Sequence, residues 1–280
     1  MKTTRSPRKN ATRIFNLDGR VAVITGGAGL LGVQHAIAIH DFGGIPILAD
    51  IDAAAARAAA KRVGIRAAGV QLDVTDPGSI EALRKRLLKK FGKIDILINN
   101  AARNPKVESN RGGVALGRFE DFDVDSWNQD VAVGLTGAML CSRVFGSHMA
   151  EAGGGVILNI ASDLALIGPD QRLYEKQGLP PHQQPKKPVG YSVVKSGLVG
   201  LTRYLATYWA DRGVRANALC PGGVENNPPA EFLQRIGKLI PMGRMARVDE
   251  YQGAVAFLCS DASAYMNGAV ISMDGGRTAW

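Results

Sequence analysis

The sequence predicts an α/β domain in which a seven-stranded, mostly parallel sheet is doubly wound and flanked by helices. Seven short apolar runs alternate with helix-length stretches along the 280-residue chain, and such alternation is typical of βαβ units. The runs are apolar at almost every position, as strands buried on both faces must be. Together the two patterns favour an open parallel sheet covered by helices.

The predicted elements follow one another along the chain. Strands are expected at residues 20–25, 45–50, 69–73, 94–99, 155–160, 214–219 and 269–273. Helices are expected at residues 52–62, 77–91, 126–151, 190–212 and 248–260. Asp76 followed by Pro77 is typical of a helix N-cap with proline in the first helical position.

The net charge of +9 is concentrated near the amino terminus. Residues 1–20 hold six basic side chains and one aspartate, a sum of +5 that leaves +4 for the other 260 residues. We therefore interpret residues 1–17 as a basic, flexible arm and residues 18–280 as one domain. Charge confined to a short arm argues against a nucleic-acid partner, which requires a basic surface.

Cysteine usage and hydropathy favour a cytoplasmic protein. Cys141, Cys220 and Cys259 are far apart and lack the spacing of a metal module or a disulfide framework,. We expect them to be buried, and we expect no metal. The uncharged run 21–40 includes four glycines, Gln34, His35 and His40, so it is a poor membrane span.

Two long polar stretches, 103–125 and 168–189, follow the fourth and fifth predicted strands. Ligands of open α/β sheets bind at this edge, so we favour lids or substrate walls over idle insertions. Their basic side chains favour a polar or phosphorylated small-molecule substrate, with a solvated charged loop as the alternative. These side chains are Arg103, Lys106, Arg111, Arg172, Lys176, Lys186 and Lys187.

A glycine-rich turn, TGGAGLLG at residues 25–32, follows the first predicted strand. Glycines allow a tight turn and let the backbone approach a pyrophosphate, which the next helix then faces with its N-terminal N–H groups. Glycines that serve only a tight turn are the alternative interpretation. Asp50 ends the second strand with Ile51 rather than a cation after it. A carboxylate there suits a free ribose, which favours NAD over NADP.

Tyr191 and Lys195 stand four residues apart in YSVVK, so on a helix they share one face,. A neighbouring cation lowers the pKa of a phenol, which can then exchange a proton with an alcohol. Ser162 follows the fifth strand, where its hydroxyl can bind a substrate oxygen. Tyr174 has no cation one turn later, and Tyr208 has no such serine.

These motifs together resemble the short-chain dehydrogenase/reductase family over residues 18–276. The resemblance implies a Rossmann-like domain and an NAD(P)-dependent enzyme acting on CH–OH groups. The matching segments are the 25–32 turn, Asp73-Val74, Asn99-Asn100-Ala101-Ala102, Ser162, YSVVK, Asn217 with 221–224, and Asp274-Gly275-Gly276.

The resemblance also implies roles for the matching residues. Ser162 would orient the substrate, Tyr191 would be the general acid/base, and Lys195 would bind ribose and lower the tyrosine pKa. Asn99, Asn217 and Asp274 are either structural or part of the site. The implied cofactor contacts are Gly26, Gly29, Leu30, Leu31, Asp50, Ile51, Asp73, Val74, Asn100, Ala101, Tyr191, Lys195, Pro221, Gly222 and Val224.

Three positions depart from the family pattern. Leu30 occupies the place of the middle glycine of the turn, and Asn226 that of a threonine after the Pro-Gly turn. Gly134 stands where relatives commonly carry an active-site asparagine, so we expect slower turnover or a compensating group.

The 25–32 turn and the 168–189 insertion are similar to those of bacterial surface-sugar and flagellin-modification oxidoreductases. This implies hydride transfer between nicotinamide and a secondary alcohol or ketone of a sugar or nucleotide sugar. A ketoacyl or other carbonyl reductase, and a non-catalytic dinucleotide-sensing protein, remain alternatives. The family resemblance further implies a homodimer or homotetramer that pairs the helices near 126–151 and 190–212.

Overall fold

The computed structural model describes residues 12–103 and 117–280. Seven strands form one sheet in the order β3-β2-β1-β4-β5-β6-β7, and every neighbouring pair is parallel. The predicted doubly wound sheet is confirmed, and it is wholly rather than mostly parallel. The strands are β1 (Val21–Thr25), β2 (Ile45–Asp50), β3 (Ala68–Gln71), β4 (Ile96–Asn99), β5 (Gly155–Ile160), β6 (Val214–Pro221) and β7 (Val270–Met273).

Helices cover both faces of the sheet. The predicted 126–151 helix is interrupted by a π-helical segment, Ala132–Thr136, and the predicted 190–212 helix ends at Tyr208. The α-helices are α1 (Leu30–Asp41), α2 (Ala53–Val63), α3 (Pro77–Phe91), α4 (Val124–Val131), α5 (Gly137–Glu151), α6 (Val189–Tyr208), α7 (Ala230–Gly237) and α8 (Gln252–Cys259). The sequence analysis missed α7.

Two apolar cores explain why the strands are apolar at every position. Val21 and Val23 of β1 face one core, which includes Phe145 of α5. Ala22 and Ile24 face the other core, which lies under α1, α2 and α8. Because successive side chains of a strand point to opposite faces, a doubly covered strand has no polar face.

The strand order places a crevice at one edge of the sheet. The chain moves outward from β1 to β2 and β3, then returns to pair β4 with the other side of β1. The connections after β1 and β4 therefore leave in opposite directions at the carboxyl edge. Ligands of open α/β sheets bind at such a switch point.

Residues 13–17, which the sequence analysis assigned to the arm, pack on the domain. Leu17 is fully buried, and the Phe15 ring lies 6.3 Å from the rings of Phe42 and Phe257. The physical reason is that these apolar side chains are removed from water when they pack on the apolar surface of the domain. Residues 1–11 of the arm, together with Lys106 and Arg111, lie outside the described residues. No helix of the described chain is long and apolar enough to cross a membrane.

Candidate active site

One cavity of about 730 Å³ lies at the carboxyl edge of the sheet. We call the part around Gly26, Gly29 and Asp50 the glycine-turn end, and the part around Ser162 and Tyr191 the tyrosine end. Every residue predicted to contact cofactor or substrate lines this one cavity. They are Gly26, Gly29, Leu30, Leu31, Asp50, Ile51, Asp73, Val74, Asn100, Ala101, Ser162, Tyr191, Lys195, Pro221, Gly222 and Val224.

The glycine turn is held against β4 by a close backbone approach. Gly26 adopts a φ of +61°, and a Cβ there would lie 2.9 Å from the Ala101 Cα. The Asn100 amide donates to the carbonyl oxygens of Thr25 and Gly26 at 3.0 Å. A Cβ on Gly32 would overlap the Gly26 carbonyl oxygen. Larger residues would therefore break this turn.

Helix α1 begins directly at the cavity. Gly29 is its N-cap, without a side chain to occupy the end, and Leu30 is its first residue. Leu30 therefore stands inside the helix and lines the cavity with its neighbours Gly29 and Leu31. Open N–H groups at a helix N-terminus attract phosphate. The residues present thus fit a dinucleotide pyrophosphate.

Two carboxylates lie farther along the glycine-turn end. Asp50 Oδ2 accepts a hydrogen bond from the Ala28 N–H at 3.0 Å. Asp73 Oδ1 accepts from the Thr75 N–H at 2.8 Å and from its hydroxyl at 2.6 Å. Strand β3 ends at Gln71, so Asp73 belongs to the loop that follows rather than to the strand as predicted. Each carboxylate keeps acceptor capacity toward the cavity.

The tyrosine end joins β5 to α6. Ser162 follows β5, and its hydroxyl lies close enough to Tyr191 to affect the pKa of the phenol. Lys195 lies one turn after Tyr191, with its Nζ 5.7 Å from the centre of the phenol ring. The Lys195 ammonium donates to the Ile160 carbonyl oxygen at 2.6 Å. The predicted three side chains therefore meet, although segment 168–189 separates them in sequence.

Burial dominates the acid–base properties of this end. It raises the pKa of Tyr191; the Ser162 hydrogen bond opposes the shift, and the Asp163 charge adds to it. The net shift is upward because desolvation of the phenolate governs it,. That Lys195 lowers this pKa relative to a site without the cation stays a prediction. Burial also lowers the pKa of Lys195 to about 8. The lysine is therefore mostly charged at neutral pH.

Comparison with known families matches this architecture. A model described as short chain dehydrogenase matches residues 20–174, and one described as enoyl-(acyl carrier protein) reductase matches residues 182–278. The chain belongs to the short-chain dehydrogenase family. It is an oxidoreductase that acts on CH–OH groups, as the named relatives of this family are.

Two curated relatives match this dehydrogenase over nearly its whole length. D-threitol dehydrogenase of Mycolicibacterium smegmatis is 36% identical over 94% of this chain and 95% of its own. Galactitol 2-dehydrogenase (L-tagatose-forming) of Cereibacter sphaeroides is 32% identical over 95% of this chain and 98% of its own.

A solved structure agrees with the fold. A gluconate 5-dehydrogenase from Burkholderia cenocepacia, in complex with NADP and tartrate, superimposes with a TM-score of 0.83. It is 28% identical and covers 97% of this chain and 100% of its own. These relatives do not show the predicted resemblance to surface-sugar or flagellin-modification enzymes.

Several residues of the dehydrogenase site were missed by the sequence analysis. Asp163 directly follows Ser162, and Arg277 of the C-terminal turn pairs with it at 2.6 Å. Tyr174, dismissed for lack of a nearby cation, lines the cavity with its ring 5.8 Å from that of Phe232. The amphipathic pattern of α7, which carries Phe232 and Ile236, was the available signal.

Segment 168–189 forms a wall of the cavity. Its Leu173 is buried and packs with Ile236, Ile240 and Met245. The Lys187 N–H donates to Gln171 Oε1 at 2.8 Å, and the Lys187 ammonium lies 4.1 Å from the centre of the Tyr191 ring. Burial lowers the pKa of Lys187 to about 8. Arg172 instead points to solvent, paired with Asp170.

A second ion pair lies near the mouth of the tyrosine end. Arg103, at the end of the described 12–103 segment, pairs with the buried Asp130 of α4 at 3.1 Å. Burial raises the pKa of Asp130, and the Arg103 charge partly opposes this. A Cβ on Gly190 would overlap the Asp130 carboxylate. The pair links the segment after β4 to α4, and the Gly190 contact shows that α4 packs tightly on the start of α6.

The departures from the family pattern have different physical settings. Gly134 lies in the π-helical segment, and a Cβ there would lie 2.5 Å from Val194 Cγ1 of α6. An asparagine therefore does not fit unless α6 shifts or Val194 changes. Asn226 lines the cavity.

Asn99, Asn217 and Asp274, which the sequence left as either structural or part of the site, all make hydrogen bonds within the protein. Asn99 donates to Ser142 and Asn159, which joins β4, α5 and β5. Asn217 bonds to the backbone of residues 266 and 269. Asp274 accepts from the backbone of residues 276 and 278, and so shapes the turn that carries Arg277. The three cysteines are buried and unpaired, and the described residues hold no metal-ligating cluster.

Proposed function

We propose that this chain is an NAD-linked dehydrogenase that oxidises a secondary alcohol of a small polyol or sugar. The observation that carries the proposal is the convergence of Ser162, Tyr191 and Lys195 on the cavity that also holds the glycine turn and Asp50. An acid–base group, a cation and a phosphate-binding turn in one cavity suit alcohol–ketone chemistry. The alternative of a pure dinucleotide sensor does not require this convergence.

The dinucleotide would be held by backbone and one carboxylate. The N-terminus of α1 would bind the phosphates, Asp50 would accept from the ribose hydroxyls, and Asp73-Val74 would flank the base. Pro221, Gly222 and Val224 would contact the nicotinamide. When bound, the nicotinamide supplies the hydride acceptor.

Residues of the protein then bind the substrate oxygen and transfer its proton. Ser162 binds the substrate oxygen and orients the carbon. The ionised Tyr191 oxygen takes the alcohol proton, and in the reverse direction the phenol returns it. Lys195 holds the ribose and places positive charge near the forming phenolate.

The Asp50 carboxylate supports NAD over NADP. At the end of β2 it would repel a 2′-phosphate, and Ile51, which follows, brings no compensating charge,. A related gluconate 5-dehydrogenase binds NADP in its crystal structure, so the choice requires measurement with this chain.

Substrate class is supported by charge and by relatives. The tyrosine end carries Arg103, Lys187, Lys195 and Arg277 against Asp130 and Asp163, which favours a polar or anionic small molecule,. Named relatives act on D-threitol and galactitol. A sugar hydroxyl is therefore our first candidate, and an activated or nucleotide sugar is a finer version of it.

We further infer a cytoplasmic homodimer or homotetramer. Tyr204 and Tyr208 of α6 stack 5.5 Å apart, and both are exposed in the single chain. Exposed aromatic pairs are frequent in interfaces. Sedimentation analysis would test the oligomer, with a monomer as the contrary result.

The proposal is tested with purified protein, NAD or NADP, and a panel of polyols, aldonic acids and activated amino sugars. We expect NAD reduction with at least one polyol or sugar. Tyr191→Phe should lower kcat by about 10²–10⁴-fold without weakening NAD binding. The matched control is Tyr208→Phe, a tyrosine on the same helix and outside the cavity. No turnover across the panel, or an active Tyr191→Phe, would overturn the proposal.

A further inference from the structure

A buried ion pair lies directly behind the serine of the site. Arg277 Nη1 donates to Asp163 Oδ2 at 2.6 Å, and the two side chains are only 7% and 4% exposed. The partners are 114 residues apart in sequence. Both line the cavity at its tyrosine end. Burying two charges costs free energy that their attraction often only balances, so stability alone is a weak reason for such a pair.

The other oxygen of Asp163 is bonded to Ser162. The Ser162 hydroxyl donates to Asp163 Oδ1 at 2.8 Å. The Leu164 N–H donates to the same oxygen at 2.8 Å and to Ser162 Oγ at 3.2 Å. A hydroxyl has one proton and two lone pairs. These contacts therefore fix its rotamer and occupy its proton and one lone pair, leaving the second lone pair for the cavity.

The charge of Asp163 also reaches Tyr191. The Asp163 carboxylate is one cause of the raised pKa of the phenol. Arg277 opposes that effect because it neutralises the carboxylate at 2.6 Å,. The other titratable or charged groups around the phenol are Lys187, Lys195, Tyr174, Cys220 and the Arg103–Asp130 pair.

We propose that Asp163 and Arg277 are a positioning pair for the reaction: Asp163 fixes the Ser162 hydroxyl, and Arg277 offsets the carboxylate charge so that Tyr191 can ionise. This inference rests on the roles proposed above for Ser162 and Tyr191. When a substrate oxygen arrives, the Ser162 O–H turns from Asp163 to that oxygen. No covalent bond breaks in this step, and Arg277 keeps the carboxylate from holding the hydroxyl too tightly.

Removing the negative charge and removing the positive charge should therefore shift the pKa of Tyr191 in opposite directions. Asp163→Asn removes the negative charge, so the apparent pKa of Tyr191 should fall by about one unit. Arg277→Met leaves the carboxylate unpaired, so the same pKa should rise by about one unit. Arg277→Lys keeps the charge and should stay near the wild type. A merely structural pair would not give shifts of opposite sign.

Ionisation of Tyr191 is followed by the ultraviolet absorbance of the phenolate during a pH titration. Each protein is compared with the same protein carrying Tyr191→Phe in addition, and the difference in absorbance reports Tyr191 alone. This readout needs no substrate. The pH profile of kcat/KM for alcohol oxidation should move in the same directions, and Asp163→Asn should lower kcat at least about 10-fold while NAD binding is kept. The matched control is Arg20→Met, which removes the Arg20–Asp261 pair at the opposite edge of the sheet.

Equal midpoints in folded Asp163→Asn and wild-type protein would overturn the positioning role. Shifts of the same sign in Asp163→Asn and Arg277→Met would do so too. If Arg277→Met does not fold, Asp163→Asn and Arg277→Lys still decide between the outcomes. If the wild type oxidises nothing on the panel, the proposed function fails while the phenolate titration still reports on the pair.

Discussion

The two ends of the cavity are built in different ways. The glycine-turn end consists of backbone: a left-handed Gly26, an open helix N-terminus and an Asn100 amide that binds two carbonyl oxygens. The tyrosine end consists of charged side chains from distant segments, among them Asp163 and Arg277. One end needs close approach between main chains, and the other needs a balance of buried charge.

This difference predicts different failures. A change to a glycine of the turn should act through shape, because no neighbour there can move without breaking main-chain packing. Asp50, at the same end, acts instead through its charge. A change at the tyrosine end should act through charge and side-chain fit. A second substitution in a neighbouring side chain should therefore be able to restore part of the lost stability or activity. The following substitutions test this contrast, from the largest expected effect to the smallest.

Gly32→Ala should have the largest effect. Its Cβ would overlap the Gly26 carbonyl oxygen, and the turn cannot relax without losing its shape. We expect NAD affinity to fall by about 100-fold or more, roughly 3 kcal/mol. Calorimetric titration measures this loss. Gly200→Ala is the control, because a Cβ there meets nothing within 4 Å; equal affinities for all three proteins would contradict the prediction.

Asp50→Asn should change the choice of cofactor. The amide oxygen can still accept from the Ala28 N–H, which Asp50 now binds at 3.0 Å, but the charge that repels a 2′-phosphate is lost. The ratio of kcat/KM for NAD over NADP should fall about 10–100-fold, as expected for one charged hydrogen bond. Asp52→Asn, at the N-cap of α2, should leave the ratio unchanged. A wild type that prefers NADP would refute the role of Asp50.

His35, on α1 behind the glycine turn, should make the fold acid-sensitive. It is fully buried, no partner satisfies its ring nitrogens, and burial lowers its pKa from 6.5 to about 4 although Asn100 partly opposes the shift. Between these values the unfolded chain binds the proton and the folded chain does not, so stability falls as the pH drops.

Between pH 7 and pH 5 the unfolding free energy of the wild type should therefore fall by about 2 kcal/mol more than that of His35→Gln. Denaturant unfolding at the two pH values measures the difference. The exposed His182 provides the control substitution, His182→Gln, which should behave as the wild type does. Parallel acid sensitivity of His35→Gln and the wild type would exclude this account.

Gly134→Ala should have the smallest effect, and it should be repairable. Its Cβ would meet only the side chain of Val194, with Cγ1 at 2.5 Å, so a side chain rather than main chain is in the way. We expect a loss of about 1 kcal/mol in unfolding free energy. The double variant with Val194→Ala should recover part of this loss, as a double-mutant cycle would show. Additive losses would mean that the two sites are independent.

Much of the glycine-turn end was predictable because its signals are local. The turn at 25–32 and the Asp50 that ends β2 are set by short-range backbone geometry. Tyr191 and Lys195 were readable for the same reason, since one helical turn separates them. The strand positions were also predictable, because burial on both faces leaves a continuous apolar run.

The other residues of the tyrosine end could not be predicted from local sequence patterns. Nothing near Asp163 in sequence indicates Arg277, since the pair exists only because β5 and the turn after β7 reach the same edge of the sheet. The net upward shift of the Tyr191 pKa was not predicted either, because spacing reveals the cation of Lys195 but not the depth of burial.

The sequence by itself determined the parallel sheet, the glycine turn and the helical pairing of Tyr191 with Lys195, since each depends on spacing within a few residues. Only the tertiary structure decided that Arg277 neutralises Asp163, that Val194 fills the space beside Gly134, and that α7 lines the cavity. Those contacts depend on strand order and on packing between remote segments, and no local periodicity records them.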